Sequence, residues 1–358
     1  MIAFLRPTAR CAVHRIHPLE DPRWDEFVSQ SSESSIFHTC AWLEALRRTY
    51  GYQPVVFTTS PDDARIQNGL VFCLVESWLT GSRLVSLPFS DHCKPLVNDP
   101  AEMQLLFSDA QQQVIRQKLN YLELRPRALL QPRTGLVHSQ YSYCFHQLDL
   151  SPRLDTLFAG FHKDSTQRKI RRAQREGLTY EEGRSPAFVD AFYRLLLLTR
   201  RRHQVPPQPR QWFHNLADCL GDRLKVRLVS SQGQPIAAML TLRHKNTLMY
   251  KYGASDAHFH NLGPMHLLFW KCIQEGKREG MSVFDLGRSQ SSDAGLITFK
   301  DRWGSVRSTL TYSRYGPPGR WEYRSDKAWK ERIARRVASF LPDPLLEAAG
   351  RLLYRHIG

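Results

Sequence analysis

The sequence predicts an α+β fold: two similar halves, each a mostly antiparallel mixed sheet flanked by helices, followed by a helical tail. Three observations carry this. Amphipathic helical runs alternate with short strand-like runs as far as about residue 315. In each half the strands come in series, separated by turn residues, as in an antiparallel meander. Past Gly316 a Pro/Gly/Arg break gives way to helical periodicity. At 358 residues the chain is long enough for two separate cores. The expected division is 1–150, 151–315 and a tail at 316–358.

In the first half, "AVHRI" reads as a strand and "PRWDEFVSQ" as a short helix opened by Pro22. "HTCAWLEALRRTYG" places Trp42, Leu46 and Tyr50 four residues apart on one helical face and ends at Gly51. "PVVFTT", "GLVFCLVESWL" and "RLVSLPF" follow as strands. A helix over Glu102–Lys118 and the strands "YLELRP" and "YCFHQLDL" complete the half. The second half opens with the basic helix "DSTQRKIRRAQREG", the strand "LTYEEG" and two helices, "PAFVDAFYRLLLLTRRRH" and "PRQWFHNLADCLG". Three strands in series come next, "DRLKVRLVSS", "PIAAMLTLRHK" and "TLMYKYGAS". A helix over about 263–279 and the strands "SVFDLG" and "RSTLTYSRY" finish it.

Lys and Arg number 50 against 34 Asp and Glu, a net charge of +16 that favours an anionic partner. Seven cysteines are scattered with no paired spacing and no Cys/His cluster of zinc type, so reduced thiols and no metal site are expected. The first residues lack a signal-peptide core, and no apolar run is long enough to span a bilayer. A cytoplasmic protein is expected, with peripheral contact at the inner face of the cell membrane as an option.

Four segments can carry chemistry. The loop–helix junction of "YKYGASDAHFHNLGPMHLLFW" offers free N–H groups near Pro264, suited to an anion. Arg168, Arg171, Arg172 and Arg175 share a helix face, which is either a solvated surface or a phosphate-binding one. In "SLPFSDHCKPL" the prolines break the strand and present Asp91, His92 and Lys94; a histidine beside an acid is suited to accept a proton near neutral pH. In "FDLGRSQSSDAGLITFKDRWG" Asp285 stands at a strand end, where ligands bind in α/β sheets, and Lys300 rides a short helix behind it. That pair is either a structural ion pair or a cation aimed at a developing oxyanion.

These blocks, with "SSIFHTCAWLEAL" and "LPFSDHCKPLV" earlier, resemble the Fem-type, GNAT-related N-acyltransferases often called FemAB-like, over nearly all of residues 30 to 315. The most specific match is Asp-x-Gly-Arg-Ser followed by Gly-x-x-x-Phe-Lys-x-x-Trp-Gly. The resemblance implies tandem GNAT-like domains with a site in the cleft between them. It implies transfer of an acyl or aminoacyl group from acyl-CoA (acetyl-CoA or longer) or aminoacyl-tRNA to an amine, in envelope or exopolysaccharide biogenesis. Asp285, Lys300 and His92 are then the catalytic candidates. Asp91, Arg288, Phe299, Trp303, Tyr252 and Lys251 would line the substrates. Gly253, Asn261, Gly263, Met265 and His266, with Arg168 and Arg172, would hold the carrier. The 253–266 loop keeps only Gly263 and Pro264 of the glycine-rich fingerprint, which counts against CoA, while no helical coiled-coil arm is inserted, which counts against tRNA; CoA is the expected carrier of the two.

Chemically, an amine nucleophile needs a base, Asp285 or His92, and the tetrahedral oxyanion needs Lys300, Arg288 or backbone N–H groups. In the tail, Trp329, Ile333, Val337 and Leu341 recur every four residues amid Lys and Arg, and "LPDP" precedes a second stripe at Leu345, Leu346, Leu352, Leu353 and Ile357. Such helices either dock on the protein's own core or lie on an anionic membrane. The rival reading from another class is a non-catalytic polyanion- or RNA-binding protein on a degenerate form of this fold; RNP and KH signatures are absent.

Overall fold

The structure, a computed structural model, describes residues 12–128, 130, 132–318 and 342–357. Helix ends follow from local chemistry. Asp21 accepts the Arg23 N–H ahead of α1 (Pro22–Gln30), and Thr39 accepts the Trp42 N–H ahead of α2 (Cys40–Tyr50). Helix α3 (Pro100–Arg116) starts two residues earlier than the sequence suggested, because Asp99 caps both Ala101 and Glu102. Helix α4 (Leu154–Gly160) was not foreseen. The basic run divides into a π-helical turn, Lys163–Gln167, and α5 (Arg168–Arg175). Helices α6 (Pro186–Arg202), α7 (Arg210–Leu220), α8 (Pro264–Arg278) and α9 (Ala294–Asp301) lie where the periodicity put them.

One twelve-stranded sheet runs through the described residues. Its strands are β1 (His14–Ile16), β2 (Gln53–Thr58), β3 (Leu70–Val75), β4 (Arg83–Val85), β5 (Leu122–Leu124), β6 (Val137–Asp149), β7 (Thr179–Gly183), β8 (Leu224–Ser231), β9 (Gln234–His244), β10 (Thr247–Ser255), β11 (Val283–Gln290) and β12 (Val306–Gly316). Their spatial order is β1-β2-β3-β4-β5-β12-β6-β11-β10-β9-β8-β7. The antiparallel series β8–β9–β10 is as expected. The sheet does not follow the expected division at residue 150. β12, from the second half, pairs with β5 of the first (Ser313 opposite Leu124), while β6, from the first half, pairs with β11 of the second (Phe284 opposite Leu148). Phe145, Leu310 and Tyr312 bury a small cluster at this exchange.

The tail's first stripe, Trp329 to Leu341, lies outside the described residues. Its second forms α10 (Asp343–Ile357), which buries Leu346, Gly350 and Tyr354. Tyr52 donates its hydroxyl to the Tyr354 carbonyl at 2.9 Å, and Tyr354 donates to the Pro206 carbonyl at 3.2 Å. This helix docks on the protein's own core.

Candidate functional site

A wedge between two strands positions the site. Parallel neighbours β10 and β11 pair over three residues only, from Thr247 opposite Val283 to Met249 opposite Asp285. Beyond that point β10 stays with β9 and shifts register between Tyr250 and Tyr252, while β11 stays with β6 and shifts between Asp285 and Arg288. Gly287 takes the bend at φ 70°, a left-handed conformation that costs glycine little. Carbonyls that a neighbouring strand would have paired are left facing the wedge. Lys300, carried by α9, donates to the carbonyls of Gly287 at 2.9 Å and Arg288 at 3.2 Å. Only 1% of Lys300 is exposed, and that burial pushes its amine down to about 8.

From the other half comes the loop after β4. The sequence pattern continued this strand to Phe89, but it stops at Val85, since Leu87 and Phe89 both adopt positive φ, 64° and 60°. The loop is held by Arg125, donating to the Leu87 carbonyl at 2.9 Å, and by Tyr312, whose hydroxyl donates to the Asp91 carbonyl at 2.6 Å. It delivers Asp91 and His92 to the wedge.

His92 Nε2 lies 3.2 Å from Asp285 Oδ2, and Asp285 Oδ1 accepts the Gly287 N–H at 2.7 Å. The ring edges of Phe37 and Phe145 fix the imidazole. His92 Nδ1 has no hydrogen-bond partner among the described residues, and the ring lines a polar cavity of about 260 Å³ together with His38, Lys94, Arg127, His244 and Asp285. With Asp285 as the acceptor at Nε2, a neutral His92 carries its proton there and keeps Nδ1 as the proton-accepting nitrogen.

Beside this dyad, Asp91 accepts from Lys251 Nζ at 2.8 Å and lies 3.7 Å from Arg288 Nε. Burial opposes ionisation of Asp91, yet Lys251 and Arg288 outweigh it and hold the carboxyl below its usual range. Burial likewise lowers the Lys251 amine, which Asp91 partly offsets. The amine sits near the rings of Phe37, Tyr252 and Trp42, at 5.2, 5.7 and 5.9 Å. Arg288 spreads over Tyr143 and Tyr312, Arg125 over Tyr312, and Arg314 over Tyr141 and Tyr121. Glu123 bridges Arg125 at 2.7 Å and Arg314 at 2.5 Å; burial opposes its ionisation, but the two guanidiniums hold it at about 2.

Asp91, His92, Lys251, Asp285, Arg288 and Lys300 are thus brought together, as the sequence pattern suggested. The other residues expected at the substrate, Trp303, Phe299 and Tyr252, pack into the core. Trp303 is fully buried, stacked on Phe269 and His266, and Phe299 packs against the same group. Tyr252 is a core residue whose hydroxyl accepts from Trp212 Nε1. Lys251 is consumed by its ion pair with Asp91.

The residues expected to hold a carrier lie apart and divide in two. Arg168, Arg172 and Asn261 are exposed and Met265 is half-buried. Gly263 and His266 are buried, and a Cβ on Gly263 would stand 2.8 Å from the Lys169 carbonyl, so α5 covers the first turn of α8. The Tyr250 hydroxyl fills the space over Gly253. This packing does not suit a pyrophosphate on that turn. The Arg–Tyr ladder went unnoticed in the sequence, although its period of two in "YSYCF" and "TYSRY" was a usable signal.

Comparison with known proteins bears on this geometry. Residues 161–300 match the acetyltransferase (GNAT) domain family. Among solved structures, FemX superposes with a TM-score of 0.64 at 15% identity, over 83% of this chain and 96% of that one. A tandem GNAT protein from the clavulanic acid biosynthesis pathway gives 0.52 at 10% identity, over 86% and 100%. This chain has the tandem-GNAT fold of the Fem-like proteins. UDP-N-acetylmuramoylpentapeptide-lysine N(6)-alanyltransferase of Weissella viridescens is 23% identical over 185 residues, 51% of this chain. The matched region spans about half that relative's length, 52%. The GNAT match ends at Lys300 and leaves out both exchanged strands, β6 and β12.

Proposed function

We propose that this tandem-GNAT chain is an N-acyltransferase. It would move an acyl or aminoacyl group from a carrier to an amine of an amino sugar, amino acid or peptide used in envelope or exopolysaccharide assembly. The carrier would be an acyl-CoA or an aminoacyl-tRNA, since both present an acyl carbon on a good leaving group; with Lys169 and Tyr250 packed over Gly263 and Gly253, the pyrophosphate of a CoA would have to lie away from the first turn of α8. The observation that supports this most is the convergence of the His92–Asp285 dyad and Lys300 on one strand wedge, each delivered by a different element.

In the proposed reaction, His92 Nδ1 takes a proton from the acceptor's ammonium while Asp285 steadies the imidazolium through Nε2. The freed amine attacks the acyl carbon and the carbonyl electron pair moves onto oxygen. Lys300 spends two of its three N–H bonds on Gly287 and Arg288, which leaves the third for that oxyanion. On collapse the attacking nitrogen gives up its remaining extra proton to the departing thiolate or alkoxide, and His92 releases the ammonium's first proton to solvent, so the products are the amide, the protonated carrier and one proton. Arg288, with 32% of its side chain exposed, suits an anionic group on either substrate.

The test is amide formation by the purified chain with a panel of acyl-CoAs and charged tRNAs against amino-sugar and peptide acceptors, read by mass spectrometry. Product with wild type and none with His92→Ala supports the assignment. Failure of the wild type to bind or turn over any donor would return the chain to the class of non-catalytic polyanion binders.

A further inference from the structure

At the far end of the first half, three segments distant in sequence meet in one surface. The β3–β4 loop projects Trp78, 80% exposed, and Leu79, 56% exposed. This tip is not a loose loop, because the end of α10 braces it. Ser77 Oγ lies 3.0 Å from His356 Nδ1, Thr80 donates to the His356 carbonyl at 2.8 Å, and Arg83 donates to the same carbonyl at 2.7 Å. The imidazole of His356 packs edge-on to the Trp78 ring, 5.3 Å between centroids. On α10, Leu352 and Ile357 are left 60% and 46% exposed. The turn after α3 joins the same loop through Asn120, which donates to the Thr80 carbonyl at 3.0 Å, and that helix ends with Ile115 49% exposed.

Large apolar side chains left on a soluble surface are usually scattered singly; here they gather where the backbone is rigidly held. Cations accompany them. Arg351 and Arg355 stand exposed on α10, and Arg116 and Lys118 at the end of α3, against Glu76 and the half-buried Glu347. An indole at a tip, aliphatic side chains beside it and long basic side chains around them is the composition that seats in the headgroup zone of a bilayer. Basic side chains reach the phosphates while their methylene stems lie along the apolar layer. Among the described residues no helix is long and apolar enough to cross a membrane.

We propose that this face, built from the Trp78–Leu79 tip, the end of α10 and the end of α3, docks the protein on an anionic phospholipid bilayer. It is separate from the His92–Asp285–Lys300 site and does not depend on the acyltransferase assignment.

Flotation of the full chain with phosphatidylglycerol-containing vesicles and with pure phosphatidylcholine vesicles tests it. Wild type is expected to float with the anionic vesicles, less with the zwitterionic ones, and to be released by salt. Trp78→Ser/Leu79→Ser should lower partitioning about tenfold with an unchanged melting temperature, since both side chains contact mainly solvent. Arg351→Ala/Arg355→Ala should lower it only on anionic vesicles. No flotation of wild type, equal flotation of the Trp78/Leu79 variant, or a dimer in light scattering that this variant dissolves would each overturn the proposal. Acyl transfer to a soluble acceptor should stay at the wild-type rate in the Trp78/Leu79 variant, so failure here and failure of the proposed chemistry are separable.

Discussion

Raising the pH from 7 to 10 puts the role of Lys300 at risk. Its amine is held at about 8 by burial, against 10.5 for an unburied lysine. Such a group is about nine-tenths protonated at pH 7, about half at pH 8 and about one-tenth at pH 9. If the ammonium faces the oxyanion, kcat/KM should track that fraction and fall about tenfold per pH unit once past 8. Lys300→Arg keeps its charge throughout this range, so it should lose the descending limb whatever its plateau. Lys300→Met removes the donor at every pH and should cost about 10²–10³ in kcat. Stability should move the other way. The folded-state pKa is depressed, so the unfolded chain binds more protons between 8 and 10.5. The contribution is full above 10.5 and lost as the pH falls through 8, a swing of about 3 kcal/mol. A pH–rate profile with a soluble acceptor, run beside denaturant titrations across the same range, measures both. A wild-type rate flat to pH 10, or an unchanged limb in Lys300→Arg, would refute the reasoning.

His92→Ala should cost about 10²–10⁴ in kcat and Asp285→Asn a comparable amount, because Asn removes both the charge that steadies the imidazolium and the acceptor that keeps the proton on Nε2; donor binding measured by calorimetry should hardly change in either. Asp91→Asn leaves the Lys251 ammonium buried without its counter-charge and should destabilise by about 3–5 kcal/mol in urea titration, with partial recovery in Asp91→Asn/Lys251→Met. Gly263→Ala puts a Cβ 2.8 Å from the Lys169 carbonyl at a φ of 76°. It should destabilise by more than about 1 kcal/mol and speed amide exchange in α5, read by mass spectrometry.

Much of the fold was legible because most elements begin and end on local chemistry. Pro22 and Gly51 mark helix ends and the runs of β-branched and aromatic residues announce strands, whereas the helical pattern misses the cap at Asp99 and starts α3 two residues late. The end of β4 was not legible: Leu87 and Phe89 look like strand residues, and only tertiary contacts such as Arg125 on the Leu87 carbonyl hold them at positive φ. The site was legible where charges interrupt a strand, as at Asp91, His92 and Asp285. It was misleading where a polar tip hides on an aromatic ring. The resemblance puts Tyr252 and Trp303 among the substrate contacts, yet both spend their rings in the core.

The strand exchange was invisible for a different reason. Alternation along "YCFHQLDL" and "RSTLTYSRY" tells which side chains share a face, but nothing in it names the neighbouring strand. The exchange has a consequence for chemistry. β6, from the first half, sets Phe145 against His92 and pairs alongside Asp285 of the second. β12, from the second half, supplies the Tyr312 hydroxyl that holds the loop of Asp91, and Asp91 in turn neutralises Lys251 across the boundary. The wedge therefore draws on strands and loops of both halves. The second half expressed alone would lack His92 and the first half alone would lack Asp285 and Lys300, so the proposed site needs both halves.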